Sequence, residues 1–257
     1  MKAVILAGGA GTRLAEETGV RPKPMVTIGN EPLLWHIMKL YAHVGVTEFV
    51  IAVGYKGYLI KEYFANYRLH RGDVTIDLGS GTVDYHRVAV EPWRVTLVDT
   101  GDDTMTGGRL RRLRPYLDPD EPFFMTYGDG VCDLDMQDQA SFHAAHGRLA
   151  TITAVRPPGR FGALSLSGSN VTGFLEKPLG DGNHINGGFF VLSPRALDLI
   201  AGDSTVWEQE PLEALVAQDQ LQAYRHDGFW QCMDTMRDKL QLEAHWNSGR
   251  APWKSWA

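Results

Sequence analysis

An apolar run, Ala3–Ala7, leads directly into three glycines, Gly8, Gly9 and Gly11, and then Arg13. The run has the pattern of a buried strand, and the glycines after it let backbone N–H groups approach an anion that side chains would hold off. Arg13 sets a permanent cation beside that turn, and Lys23, braced by Pro22 and Pro24, adds a second. A strand, a glycine-rich turn and two cations suit the triphosphate of a nucleotide. The alternative is a plain strand-to-helix turn with solvated basic residues. Two familiar phosphate loops are excluded. A Walker A loop needs Gly-Lys-Ser/Thr, and the chain has no Gly-Lys dipeptide. A dinucleotide fingerprint needs a glycine three residues after Gly11, where Leu14 stands, and its second strand should lead to an acidic ribose ligand. Residues 48–53 lead instead into Gly54-Tyr55-Lys56.

The 257 residues fit one large domain or a domain with an appendage, with ample core. No apolar run approaches the ~20 residues of a membrane span, and no signal-peptide pattern precedes the first strand. Cys132 and Cys232 have no metal-site spacing and read as reduced thiols. These features predict a cytoplasmic protein with no membrane partner. A formal charge of −6 argues against nucleic-acid binding through a broad basic surface. Arg109, Arg111, Arg112 and Arg114 form a local basic run that fits the wet face of a helix. Against this acidic background, a polyanionic small ligand would need local cations and a divalent metal.

Strand and helix patterns alternate through the first half. Residues 32–44 carry Leu33, Ile37, Leu40, Tyr41 and Val44 at helical spacing, residues 48–53 are β-rich, and residues 56–67 are again helical. A strand over 122–127, a helix over 136–146 and a strand over 150–155 continue the rhythm. The pattern predicts an α/β domain with a mostly parallel sheet covered by helices. Residues 73–99 read as a β insertion of three short strands, 74–78, 83–88 and 94–98, forming an arm or an oligomer contact. Antiparallel-type strands are expected over 161–192, then one more over 228–233 and a final helix over 234–246. One domain, residues 1–257, follows. In an open parallel sheet, ligands bind beyond the carboxyl ends of the strands, so residues 8–13 and Gly128-Asp129-Gly130 are expected to border one cleft.

Asp129 stands between two glycines after a strand, so its carboxylate is expected to be open to a ligand. Asp234 follows another strand and either joins Asp129 on a metal or N-caps the last helix, a role Asp favours. One carboxylate from each segment, with phosphate oxygens and water, would complete a Mg²⁺ shell. Lys177 in Glu176-Lys177-Pro178 offers a cation, and Glu176 an acceptor for sugar hydroxyls; the same tripeptide also reads as a polar turn. Asn186 with Gly187 and Gly188 permits a close backbone approach. Trp207, Trp230 and Trp246 read as core aromatics, with Trp230 near the site. Arg109, beside the hydroxyls of Thr104 and Thr106, has donors only and would suit a ligand edge whose neighbouring atoms both accept, as O2 and N3 of cytosine do; a surface helix arginine fits the residues equally well. A pyrimidine with N3–H would oppose an arginine donor at a cost of ~1–3 kcal/mol.

Leu6-Ala-Gly-Gly-Ala-Gly-Thr-Arg13 with Pro22-Lys-Pro24 resembles the nucleotide-binding signature of the sugar-1-phosphate nucleotidyltransferases. Gly128-Asp129-Gly130, Glu176-Lys177-Pro178 and Asn186-Gly-Gly188 follow in that family's order. Further matching segments are Gly54-Tyr-Lys-Gly57, Glu62-Tyr-Phe-Ala-Asn-Tyr67, Glu91-Pro-Trp93, Val98-Asp-Thr-Gly101, Met105-Thr-Gly-Gly-Arg109, Pro158-Gly-Arg-Phe-Gly162 and Trp207-Glu-Gln-Glu-Pro211. They extend the likeness over nearly the whole chain, to the branch that uses CTP and glucose 1-phosphate. Residues 78–90 match least.

The resemblance implies a Rossmann-like nucleotidyltransferase fold. It implies that Leu6, Ala7, Gly8, Gly9, Ala10, Gly11, Thr12, Arg13, Lys23, Thr104, Arg109 and Gly128 bind the nucleotide, and that Asp129 and Asp234 bind Mg²⁺. Glu176, Lys177, Asn186, Gly187 and Trp230 would take the sugar phosphate, with Arg13, Lys23 and Lys177 catalytic. The implied product, CDP-glucose, feeds deoxysugar routes to surface polysaccharides or glycosylated metabolites. Family habit also implies a homo-oligomer. The same chemistry with UTP, dTTP or another sugar phosphate, and a non-catalytic nucleotide-binding relative, are the alternatives.

Overall fold

The computed structural model describes residues 1–87, 89–157, 163–167, 169–175 and 184–256. Its first strand, β1 (Ala3–Ala7), is buried throughout. After it come the single turn α1 (Ala15–Thr18), the short strands β2 (Thr27–Ile28) and β3 (Glu31–Pro32), α2 (Leu33–His43), β4 (Glu48–Val53) and α3 (Gly57–Ala65). The central part holds β5 (Asp73–Asp77), β6 (Thr82–His86), β7 (Arg94–Asp99), α4 (Thr106–Arg112), β8 (Phe123–Tyr127), β9 (Gly130–Cys132), α5 (Met136–His146) and β10 (Ala150–Val155). The hairpin β11 (Ala163–Ser167) and β12 (Asn170–Leu175) precedes β13 (Ile185–Leu192), α6 (Glu210–Ala217), β14 (Leu221–His226), β15 (Trp230–Cys232) and α7 (Met236–Asn247).

Seven strands form the central sheet in the order β14-β10-β13-β8-β1-β4-β7. Neighbours pair in parallel except β13, which runs antiparallel to both β10 and β8. Strands buried on both faces need no polar alternation, which is why Ala3–Ala7 and Glu48–Val53 read as nearly continuous apolar runs. Ala3, Ile5 and Ala7 join the core that holds Leu33, Ile37 and Tyr41 of α2; Val4 and Leu6 join the opposite core with Leu110, Trp207 and Leu215. The chain leaves β1 for β4 on one side and returns to β8 on the other. A crevice therefore opens beyond the ends of β1 and β8, where the strand order switches direction.

The sequence reading of a three-stranded insertion needs correction. Arg94–Asp99 is the edge strand of the main sheet, paired in parallel with β4 from Glu48↔Arg94 to Val53↔Asp99. Only β5 and β6 stand apart, as a two-stranded hairpin. The strand expected over 83–88 is Thr82–His86, and the last strand is Trp230–Cys232.

A buried histidine anchors the C-terminal part to α2. His36 is fully buried; its Nε2–H donates to Ile28 O (2.9 Å), and its Nδ1 accepts from Trp253 Nε1 (3.4 Å). Trp246 packs edge-on to it at 4.6 Å. Both nitrogens are used as the neutral ring requires, and burial lowers the pKa to about 4. Burial, then His146, likewise holds His143 at about 4. A folded-state pKa below the ordinary value makes the unfolded chain bind more protons between about pH 6.5 and 4, so stability falls as pH drops through that window. The slope from His36 is at most about 1.4 kcal/mol per pH unit. Urea denaturation should show lower stability at pH 5 than at pH 7, with a shallower dependence in His36→Gln; equal stabilities at the two pH values would contradict this.

Candidate active site

The turn after β1 and the turn after β8 line one cleft of about 700 Å³. Its walls are Leu6, Ala7, Gly8, Gly9, Gly11, Thr12 and Arg13 from the first turn, Lys23 and Pro24, residues 102–106 with Arg109, and Tyr127, Gly128 and Asp129. Of the residues expected to hold a nucleotide, only Ala10 is outside this lining. Gly11 has φ 62°, a left-handed conformation that other residues adopt at a cost. A side chain at Gly8 would also strike the Arg109 guanidinium, whose Nη1 lies 2.2 Å from the place a Cβ would occupy. The far end of the loop is held by Thr18 Oγ1, which donates to Gly11 O (3.1 Å) and Leu14 O (3.0 Å).

Two distant carboxylates converge on one ammonium. Lys23 Nζ donates to Asp129 Oδ2 at 2.8 Å and to Asp234 Oδ1 at 2.6 Å, and Arg13 Nη1 lies 3.0 Å from Asp234 Oδ2. A small strand ladder causes the meeting. β9 and β15 pair antiparallel with Gly130 opposite Cys232, and Met233 N–H donates to Asp129 O (2.8 Å), so the residues flanking the ladder are adjacent. Asp234 does not cap the last helix. Thr235 is the N-cap, and its reciprocal bonds with Asp238 form a capping box. The Asp234 carboxylate is thereby left to Lys23 and Arg13, which line the cleft while Asp234 itself stands just behind that lining.

Burial opposes the charges here, but pairing overrides it. Lys23, whose side chain is 11% exposed, has its pKa raised by Asp129 and Asp234 in spite of burial. Burial would raise Asp234, yet the Lys23 bond and charge, with Arg13, hold it below the usual carboxylate value. Among the described residues no group of three or more His, Cys, Asp or Glu side chains is placed to hold a metal ion by itself. Two hard oxygen donors already gathered around a cation suit a divalent ion such as Mg²⁺, provided that substrate oxygens and water complete its shell.

Arg109 is buried within the cleft wall. Nη1 donates to Thr100 Oγ1 and Gly101 O, both at 2.7 Å, and Nη2 donates to Asp102 O at 3.0 Å. The guanidinium thus shapes the 100–102 turn as well as facing the cleft. Thr104 is buried beside it. Asn186, Gly187 and Trp230 come together at the neighbouring side of β8: Trp230 Nε1 donates to Gly187 O (2.7 Å), and Asn186 lies beside the Tyr127 phenol. They are outside the cleft lining and reach it through Tyr127. Glu176 and Lys177, like residues 158–162, lie outside the described residues. Sequence reasoning missed Pro24, Asp102, Asp103, Met105 and Tyr127. Each adjoins a motif residue, and that adjacency was the only signal available.

Residues 2–235 match the family model described as "Nucleotidyl transferase". The chain is 60% identical to glucose-1-phosphate cytidylyltransferase of Salmonella typhi over 256 residues, covering 100% of both chains. It is 34% identical to mannose-1-phosphate guanyltransferase of Neurospora crassa, covering 93% of this chain and 62% of that protein. Among solved structures, UDP-glucose pyrophosphorylase complexed with UDP-glucose superposes with a TM-score of 0.70 at 16% identity, over 97% of this chain and 99% of that one. That last likeness concerns the fold.

If Lys23 balances the two carboxylates, Lys23→Met leaves them facing each other across the cleft. The variant should melt several degrees below the parent in chelator and recover on addition of millimolar Mg²⁺, with a much smaller metal response in the parent. Identical melting in both buffers would contradict the pairing.

Proposed function

The chain belongs to the nucleotidyl transferase family, and from that premise we propose that it transfers the cytidylyl group of CTP to α-D-glucose 1-phosphate, giving CDP-glucose and pyrophosphate. The observation that carries this reading is the full-length 60% identity with the Salmonella typhi cytidylyltransferase. The cleft supports it with two cations, two carboxylates and a buried arginine on one wall.

The sugar phosphate oxygen is already anionic and needs no protein nucleophile; it attacks the α-phosphorus in line with the departing pyrophosphate. Positioning and charge neutralisation then supply the catalysis. Arg13 and Lys23 exchange their carboxylate partners for phosphate oxygens and support the leaving group. Gly8, Gly9 and Gly11 admit the phosphates to the backbone. Lys177 aligns the attacking phosphate, and Glu176, Asn186, Gly187 and Trp230 form the sugar side. Asp129 and Asp234 would hold Mg²⁺, which when bound would neutralise phosphate charge. Three of the five Arg109 N–H groups are committed to the 100–102 turn, so base reading falls to the remaining Nη2–H and the Nε–H, with Thr104 lining the same cleft.

A homo-oligomer fits the hairpin. Val74 pairs with Tyr85 and Ile76 with Val83, which makes one face apolar, while Asp73, Thr75, Asp77, Thr82, Asp84 and His86 share the other. Ile76, Val83 and Tyr85 are exposed. An isolated two-stranded hairpin is marginal in water, and a second copy is the partner we propose for this face. A cytoplasmic location fits the two unpaired thiols, and among the described residues no helix is long and apolar enough to cross a membrane.

Pyrophosphate release from CTP should require both glucose 1-phosphate and Mg²⁺, and should run at least about tenfold faster than with UTP. Asp129→Asn and Lys23→Ala should each lower kcat by about 100-fold or more. Equal rates with UTP would remove Arg109 as the base reader, and full activity in either variant would reject the metal and phosphate roles. In light scattering, Ile76→Glu should shift the protein to a smaller assembly; an unchanged mass would place the contact elsewhere.

A further inference from the structure

We propose that Glu208 is a positioning residue that sets the separation between the two walls of the cleft, an inference that rests on the cytidylyl-transfer reading above. Glu208 lies between the turn Pro194–Leu199 and α6, in a segment pinned by the fully buried Trp207. Its two carboxylate oxygens serve two different walls. Oε2 accepts from Thr106 Oγ1 at 2.6 Å, and Oε1 accepts from the Tyr127 phenol. Thr106 is the first residue of α4, on the side that carries Arg109. Tyr127 is the last residue of β8, immediately before Gly128 and Asp129. Both line the cleft.

The bridge extends at both ends. Thr106 Oγ1 accepts from Trp207 N–H at 2.9 Å, so the hydroxyl that donates to Glu208 is itself fixed by the buried anchor. On the other side Asn186 lies beside the Tyr127 phenol, and its Oδ1 accepts from Gly188 N–H at 2.8 Å. A hydrogen-bonded path thus runs from the base wall, through one carboxylate, to the strand end that carries Asp129. Two hydroxyl donors arriving at two oxygens call for an ionised carboxylate. It accepts at both positions with charge-assisted strength, whereas an amide turns an NH₂ group toward one of them. Glu208 touches no reacting atom in this scheme. It acts through Thr106 and Tyr127 by keeping α4 and β8 at one spacing, the spacing that aligns a nucleotide on one wall with a sugar phosphate on the other.

Loss of alignment should appear in the chemical step rather than in either binding step. Glu208→Gln should lower kcat by about ten- to thirtyfold, with the KM for CTP and for glucose 1-phosphate each within about threefold of the parent and the melting temperature within about 2 °C. Tyr127→Phe should lose a similar factor, and the double variant should lose no more than the worse single variant, because one bridge is broken in each case. A parental kcat in Glu208→Gln overturns the proposal. So do single losses that multiply in the double variant, or a loss that comes with raised KM values and a lowered melting temperature. Absence of turnover in the parent protein under the same assay would instead overturn the transfer reading itself.

Discussion

The Lys23 ammonium is the point at which the chain closes on itself. It joins a carboxylate from the end of the central sheet to one from the entry of the last helix, two residues separated by more than a hundred positions in sequence. Without a cation between them, Asp129 and Asp234 would repel at short range in a partly desolvated place, where such repulsion is poorly screened. With it, the two cations and two anions form a neutral cluster that the fold can hold. In the proposed reaction the same groups form the receptive site, each trading a protein partner for one brought by a magnesium nucleotide. Stability without substrate and affinity for substrate draw on one set of charges.

Around that cluster the fold divides its labour. The parallel strands bring two turns to one crevice, the β9–β15 ladder brings the second carboxylate, and the Thr235–Asp238 capping box satisfies the helix start so that Asp234 need not. Arg109 belongs to another layer. Its three hydrogen bonds to residues 100–102 make it a structural pin, a role beyond both the base reader and the surface helix arginine that the sequence offered. A group so constrained keeps few donors free and those few in a fixed direction, which is what its proposed base-reading role requires.

Much of this was legible in the amino-acid sequence because the signals are local. Ala3–Ala7 followed by glycines, Asp129 between glycines and the apolar spacing in α2 each carry their meaning within a few residues. The failures concern pairing at long range. Arg94–Asp99 looks the same whether it extends a hairpin or closes the edge of a sheet, and only its parallel register with β4 decides. The competing roles of Asp234 could have been separated, since Thr235 with Asp238 three residues later is a capping signature. Glu208 stands in the matching segment Trp207–Pro211 and Tyr127 beside Gly128, yet neither position shows that the two side chains meet. Their partnership depends on a loop folding back over α4, which no periodicity records.

The contact between Gly8 and the Arg109 guanidinium has an evolutionary corollary. Any residue larger than glycine at position 8 collides with the arginine, while any residue smaller than arginine at position 109 opens a void beneath the phosphate loop. With Arg109 as the proposed base reader, altering the arginine to suit another base would also remodel the floor under the loop proposed to hold the phosphates. That one contact would then couple base preference to phosphate grip.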